Sequence, residues 1–151
     1  MTSYTINTDA SWSWKFKRGA WAYWIKGPDF HAKASGMFDA RIEIKHNTIA
    51  ELLAFSKALE RVNKRVPEEE RKNTTLYVNT DCMYVIAVLE DRIISKKNIM
   101  LVRAVQASAR GYKIVARHVK AHTGDLGEPR SYVNDWCDRM VRLEMGKELY
   151  S

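Results

Sequence analysis

The sequence predicts an α/β domain on a five-stranded mixed sheet, an antiparallel meander followed by parallel strands, flanked by helices. Three observations carry this. Residues 3–8 (SYTINT), 20–25 (AWAYWI) and 32–38 (AKASGMF) are short stretches rich in aromatic or β-branched residues, parted by turn chemistry at Lys17-Arg18-Gly19 and Gly27-Pro28-Asp29. Helical patterns then alternate with two further strand-like runs, 75–79 and 113–119. Such an order places the later strands parallel to the first, joined through helical crossovers. At 151 residues the chain has the size of one domain, able to bury roughly two-thirds of its unfolded surface. No linker, repeat or low-complexity stretch divides it, so residues 1–151 are read as a single domain.

Helical periodicity runs from about 48 to 66. Leu52, Phe55, Ala58, Leu59, Val62 and Val66 form one stripe, and Lys57, Glu60, Arg61, Lys64 and Arg65 lie opposite. The polar segment EEERKN leads to the strand at 75–79, then to helical stretches at 82–90 and 97–110, the strand KIVARHV at 113–119, and a final helix over 131–146. That last helix has Val133, Trp136, Cys137, Met140 and Val141 on its apolar side, with Asp138 at the edge beside Asn134. Asp135 shares a face with Arg139 and Arg142, where a surface ion pair is the simplest reading.

Lys and Arg total 25 against 18 acids, a net charge of +7, which favours polyanionic partners but also describes an ordinary solvated basic surface. Neither a long apolar run nor a signal-peptide pattern opens the chain, so the expectation is a soluble, cytoplasmic protein with no membrane association. Cys82 and Cys137 fit neither a CxxC nor a zinc spacing and are read as reduced thiols filling the core.

The chemistry is expected in the acids. In LYVNTDCMYVI and SYTINTDASW a strand runs into Thr and then Asp, at Asp81 and Asp9. Ligands of such sheets bind beyond the carboxyl ends of the strands, and neighbouring strands one and four would set these two carboxylates side by side. Glu51 is the only charge on the apolar stripe of its helix. An unpaired carboxylate there costs several kcal/mol to bury, so either a cation meets it or it is protonated; the alternative is service to the helix N-terminus from the first turn. With Asp138 the set numbers four, and the expectation is that no Lys or Arg meets any of them. Each pair of charges at ~4 Å costs roughly 4 kcal/mol at an effective dielectric of about 20. Hard divalent cations resolve that repulsion, and an all-oxygen site suits Mg²⁺ or Mn²⁺ better than zinc.

Taken in order, TDAS, NTIAELLA, VNTDCMYVI, ARHVKAHTGD and VNDWCDRMVR resemble the motifs of ribonuclease H of the short bacterial and retroviral kind, over nearly the whole chain. The resemblance implies a D-E-D-D carboxylate set with two Mg²⁺ ions, and cleavage of the RNA strand of RNA/DNA hybrids to a 3′-hydroxyl and a 5′-phosphate. It implies that Asp9 bridges the metals, that Asp81 serves the ion that activates water, and that Glu51 and Asp138 hold the second ion. It also makes His122 the counterpart of a mobile histidine for proton transfer or product release, while His118 reads as structural.

Ser11, Asn47, Thr48 and Asn134 are the expected substrate contacts. His46-Asn47-Thr48 stands where the family usually has Thr-Asn-Asn, and Ala10 where it often has Gly. A capping box from Thr48 to Glu51 is the competing reading of that segment. The loop TGDLGEPRSYVN is longer than the family pattern and carries Asp125 and Glu128, either of which could assist in place of His122. Trp12, Trp14 and Phe16 alternate with Lys15, Lys17 and Arg18, which suits stacking and phosphate contact; the competing reading is a hairpin with one buried face. SKKN, with Arg92 and Arg103, is the only counterpart of a basic protrusion, so affinity is expected from the general basic surface of a monomer. A DNA junction or single-strand nuclease of the same fold, and a non-catalytic nucleic-acid-binding module, are the other readings. Four occupied carboxylate positions argue against the module.

Overall fold

The structure, a computed structural model, describes residues 2–92, 98–119 and 129–150. Its elements in order are β1 (Thr2–Ser13), β2 (Arg18–Lys26), β3 (His31–Met37), α1 (Asn47–Arg65), a short 3-10 helix (Glu68–Asn73), β4 (Thr74–Thr80), α2 (Met83–Leu89), α3 (Ile99–Ala109), β5 (Lys113–His118) and α4 (Pro129–Tyr150). The five strands form one mixed sheet in the order β3-β2-β1-β4-β5. β1 to β3 are the antiparallel meander, and β4 and β5 run parallel to β1.

One expectation changes. β1 does not stop before Asp9 but runs to Ser13, because β2 pairs with it as far as Ser13↔Arg18. Its pairing with β4 ends at Asn7↔Asn79. Asp9 therefore stands inside a strand, opposite Ala22, where β1 has just parted from β4.

The two faces of the sheet are covered differently. On one, Ile6, Ile25, Leu76 and Val78 meet Leu52, Phe55, Leu59 and Val62 of α1, all eight fully buried. At roughly 25 cal/mol per Å² of apolar surface, each such side chain contributes about 1.5–3 kcal/mol. On the other face, Val133, Cys137 and Val141 of α4 pack on Ala20, Ala22 and Trp24. Strand alternation turns Asn7 and Asp9 toward this second face, and the small alanines of β2 leave room for α4 to come close. The Cys137 thiol reaches the Asn7 carbonyl oxygen at 3.7 Å.

The last rung shared by β1 and β4 is polar. Asn7 and Asn79, 2% and 0% exposed, face each other, and the Asn79 amide donates to Asn7 Oδ1 at 3.2 Å. Asn79→Ala would take from the buried Asn7 Oδ1 the donor it has in Asn79 Nδ2. It is expected to cost about 1–3 kcal/mol in denaturant unfolding.

Candidate active site

Asp9, Glu51 and Asp81 meet at the fork between β1 and β4. Each offers a carboxylate oxygen, and these oxygens lie within 4.8 Å of one another. The fork explains the meeting: where the β1–β4 ladder stops, an acid from the α1 layer can reach Asp9 without crossing paired backbone. Glu51 sits on the buried stripe of α1, 6% exposed. It does not serve the helix dipole, since α1 begins at Asn47 and its first turn holds no acid. The capping box is not formed either: the N-cap is His46, with no side-chain cap bond, and the amides of Ile49 and Ala50 bond the His46 carbonyl.

Glu51 instead accepts from the Ala10 amide through Oε1 at 3.3 Å, and the same amide donates to Asp9 Oδ1 at 2.9 Å. Among the described residues Glu51 Oε2 is buried with no hydrogen-bond partner. A buried carboxylate oxygen facing two further carboxylates and lacking any donor is costly as it stands. An all-oxygen set with such an atom fits a hard divalent cation.

The electrostatics agree with crowding. Burial, and then the Asp81 charge, push the Asp9 carboxyl up to about 7 from 3.8; the Ala10 amide opposes them and Asp138 adds to them. Burial, followed by Asp9 and Asp81, holds Glu51 well above the usual carboxylate range. Asp81 lies at a bend just past β4. The bend is held from both sides: the His118 ring bonds the Asp81 carbonyl oxygen at 3.2 Å, and the Cys82 amide donates to Thr80 Oγ1 at 3.1 Å. His118 is thus a structural support, as predicted.

Asp138 stands on α4, outside the close trio, yet its charge reaches Asp9. It is bonded to Arg142 Nη2 at 2.8 Å. This corrects the expectation that no cation adjoins the four acids. Arg142 belongs to Asp138 rather than Asp135, and the i,i+4 spacing was the signal for it.

Ser11 follows Asp9 by two residues on the same face of β1 and is half-buried. Asn47 and Thr48 are exposed at the start of α1. His122, Asp125, Glu128 and residues 95–97 of SKKN lie outside the described residues, as does the Asn134 side chain. Arg92 is ion-paired with Glu90 at 3.0 Å. Cys137 is a buried filler as expected, whereas Cys82 is only partly buried, at the start of α2 beside the site.

Fold and site together define an α/β domain with a buried, all-oxygen acidic centre of the kind that holds divalent cations. The RNase H family model matches residues 1–145, and the chain belongs to the RNase H family, whose members act on RNA/DNA hybrids and typically depend on divalent metal. No match is found among the curated proteins. Among solved structures, the chain is similar to the N-terminal RNase H domain of a Mycobacterium tuberculosis protein, studied as a fusion with maltose-binding protein. The TM-score is 0.69 at 14% identity, covering 97% of this chain and 96% of that one. It is also similar to LC11-RNase H1, isolated from compost by a metagenomic approach, with a TM-score of 0.71 at 17% identity, covering 99% of each chain. At these identities the likeness is one of fold.

Proposed function

We propose that the protein is an endoribonuclease that hydrolyses the RNA strand of RNA/DNA hybrids, leaving 3′-hydroxyl and 5′-phosphate ends. Two Mg²⁺ ions, with Mn²⁺ as an alternative, would be held by Asp9, Glu51, Asp81 and Asp138. The observation that carries this reading is the carboxylate trio, Asp9 and Glu51 buried and Asp81 partly so, with its orphaned Glu51 oxygen, at the sheet fork of a chain in this family.

When bound, the ions supply an acidified water and neutralise the charge on the leaving oxygen. The protein's own residues do the rest. Asp9 is central, because its carboxylate adjoins both Glu51 and Asp81, and the Ala10 amide fixes one of its oxygens. Asp81 is the more solvent-accessible member of the trio and is suited to the ion that meets incoming water. Glu51 and Asp138 approach from opposite layers of the fold and would hold the second ion between them. Ser11, Asn47, Thr48 and Asn134 would bond 2′-hydroxyls and base edges in the shallow minor groove of the hybrid. His122 would move the proton on the leaving side. Among the described residues no helix is long and apolar enough to cross a membrane. We read the protein as one catalytic domain acting as a cytoplasmic monomer.

The test is cleavage of matched RNA/DNA hybrid, double-stranded RNA, duplex DNA and a four-way junction with Mg²⁺ or Mn²⁺, and with EDTA as control. Metal-dependent cutting of only the RNA strand of the hybrid is expected. Cutting of the junction or of DNA would replace the substrate, and binding without cutting would remove the enzyme.

A further inference from the structure

The hairpin after Asp9 presents aromatic rings that the fold does not use. Trp12 packs half-buried against the cluster that holds Phe38 and Ile44, but Trp14 and Phe16 are 62% and 49% exposed. Gly19 is required here, since a Cβ on it would lie 2.8 Å from the Trp12 ring and 3.0 Å from both the Phe38 ring and the Ser11 carbonyl oxygen. Trp12 is thereby packed close to the backbone of β2 at Gly19, and the next ring of the alternation, Trp14, is exposed at the turn. Lys17 closes the tip in the left-handed region, with φ of 50°.

Facing the hairpin is the segment that leads into α1. Together they line a groove of about 320 Å³, with Trp12, Trp14 and Lys17 on one side and Arg41, Ile42 and Lys45 on the other. Ile42 is also exposed, at 39%. Around the groove Lys15, Lys17, Arg18, Arg41 and Lys45 outnumber Asp39 and Glu43, and those two acids are already paired with Arg41 at 2.7 Å and Lys45 at 3.8 Å. Lys15 lies over the Phe16 ring at 5.3 Å. Among the described residues the ring beside Trp14 is that of His46, edge-on at 6.2 Å and 74°, and none is stacked on it.

Each wall adjoins an element of the site, with Trp12 on the α1 face of β1, opposite the face that carries the Asp9 side chain. Trp12 follows Asp9 by three residues of β1, ~10 Å along the strand. His46 caps the helix that carries Asn47, Thr48 and Glu51.

We propose that this groove binds an unpaired nucleotide segment continuous with the bound duplex, with a base stacked on Trp14 and the neighbouring phosphates on Lys15 and Lys17. The physical reason for an unpaired segment is that bases inside a duplex have both faces covered by their neighbours. An exposed indole therefore stacks on a base that has left the helix or on an uncovered end pair, and a projecting ring beside cations suits the first. This inference rests on the nuclease reading for its substrate, but it concerns binding and not cleavage.

The test is therefore made in EDTA, where no hydrolysis occurs. Fluorescence anisotropy compares a blunt RNA/DNA hybrid with the same hybrid carrying a short oligo(dT) tail at each end in turn, for wild type, Trp14→Ala, Phe16→Ala and Trp14→Phe. Wild type should bind one of the tailed hybrids about tenfold more tightly than the blunt one. Trp14→Ala should erase that gain and leave blunt binding unchanged, Trp14→Phe should restore most of it, and Phe16→Ala should reduce it. Absence of any tail effect in wild type overturns the proposal. So does an equal loss on blunt and tailed hybrids, which would make the groove a duplex contact, or a concentration-dependent rise in mass abolished by Trp14→Ala, which would assign it to a second copy of the chain. If the hybrid is not cut with metal but the tail effect persists, the nuclease reading alone fails.

Discussion

Asp81→Asn is expected to lower cleavage of the RNA strand by on the order of a thousandfold or more, with the fold and hybrid binding kept. Metal-ion catalysis supplies several kcal/mol of barrier lowering, and each 1.36 kcal/mol is one decade of rate. Asparagine keeps the size and one oxygen of Asp81 but removes the charge, so it would weaken the ion nearest the incoming water. The fold should survive, because the bend at Asp81 is held through its carbonyl oxygen and through Thr80, neither of which the substitution alters. Relief of repulsion with Asp9 and Glu51 should, if anything, stabilise the metal-free protein. Single-turnover cleavage, hybrid affinity and circular dichroism on one preparation separate these effects. A variant that cleaves at the wild-type rate would show that Asp81 is not a metal ligand.

The metal-free protein should lose stability through Asp9 as the pH rises. Its carboxyl titrates near 3.8 unperturbed and at about 7 in the fold, with burial as the first cause and Asp81 the next. Between those values the folded state keeps a proton that the unfolded chain has released, so this contribution falls across the window and stays low above it. That shift corresponds to on the order of 4 kcal/mol. Asp9→Asn removes the titration. In EDTA the variant should match wild type near pH 4 and melt about 10 °C higher near pH 8. Adding Mg²⁺ should raise the wild-type midpoint at pH 8 and leave the variant's almost unmoved, since a ligand stabilises the state that binds it. A wild-type minus variant difference that does not change between pH 4 and pH 8 would mean that Asp9 is not in a repulsive, buried setting.

Much of the site was legible because its signals are local and periodic. Glu51 stood out as the one charge on a 3.6-residue apolar stripe, and the structure buries it there beside Asp9. The rule for parallel strands brings Asp9 and Asp81 together, and β1 and β4 are indeed neighbours. The repeated Asn-Thr-Asp of the two strands carries a second signal, since it places Asn7 against Asn79 at the last shared rung. The length of β1 was not legible, because a strand continues as long as one partner pairs with it, and that partner's twist and register are tertiary facts. Nor could composition decide which tryptophan was buried. Trp12 and Trp14 belong to one alternating run, but only packing against the cluster that holds Phe38 and Ile44 distinguishes the ring that packs from the ring that projects.

The sequence by itself determined the strand and helix order, the acidic residues and the face of α1 that carries Glu51, because these follow from periodicity and turn chemistry along the chain. Only the tertiary structure decided that Asp9 lies within a strand at a fork, that one Ala10 amide serves two carboxylates, and that Asp138 is held by Arg142. The reason is physical: the environment of a charge depends on which groups from distant parts of the chain are packed within a few ångströms of it, and that distance is set by the closing of the sheet between its two helical layers.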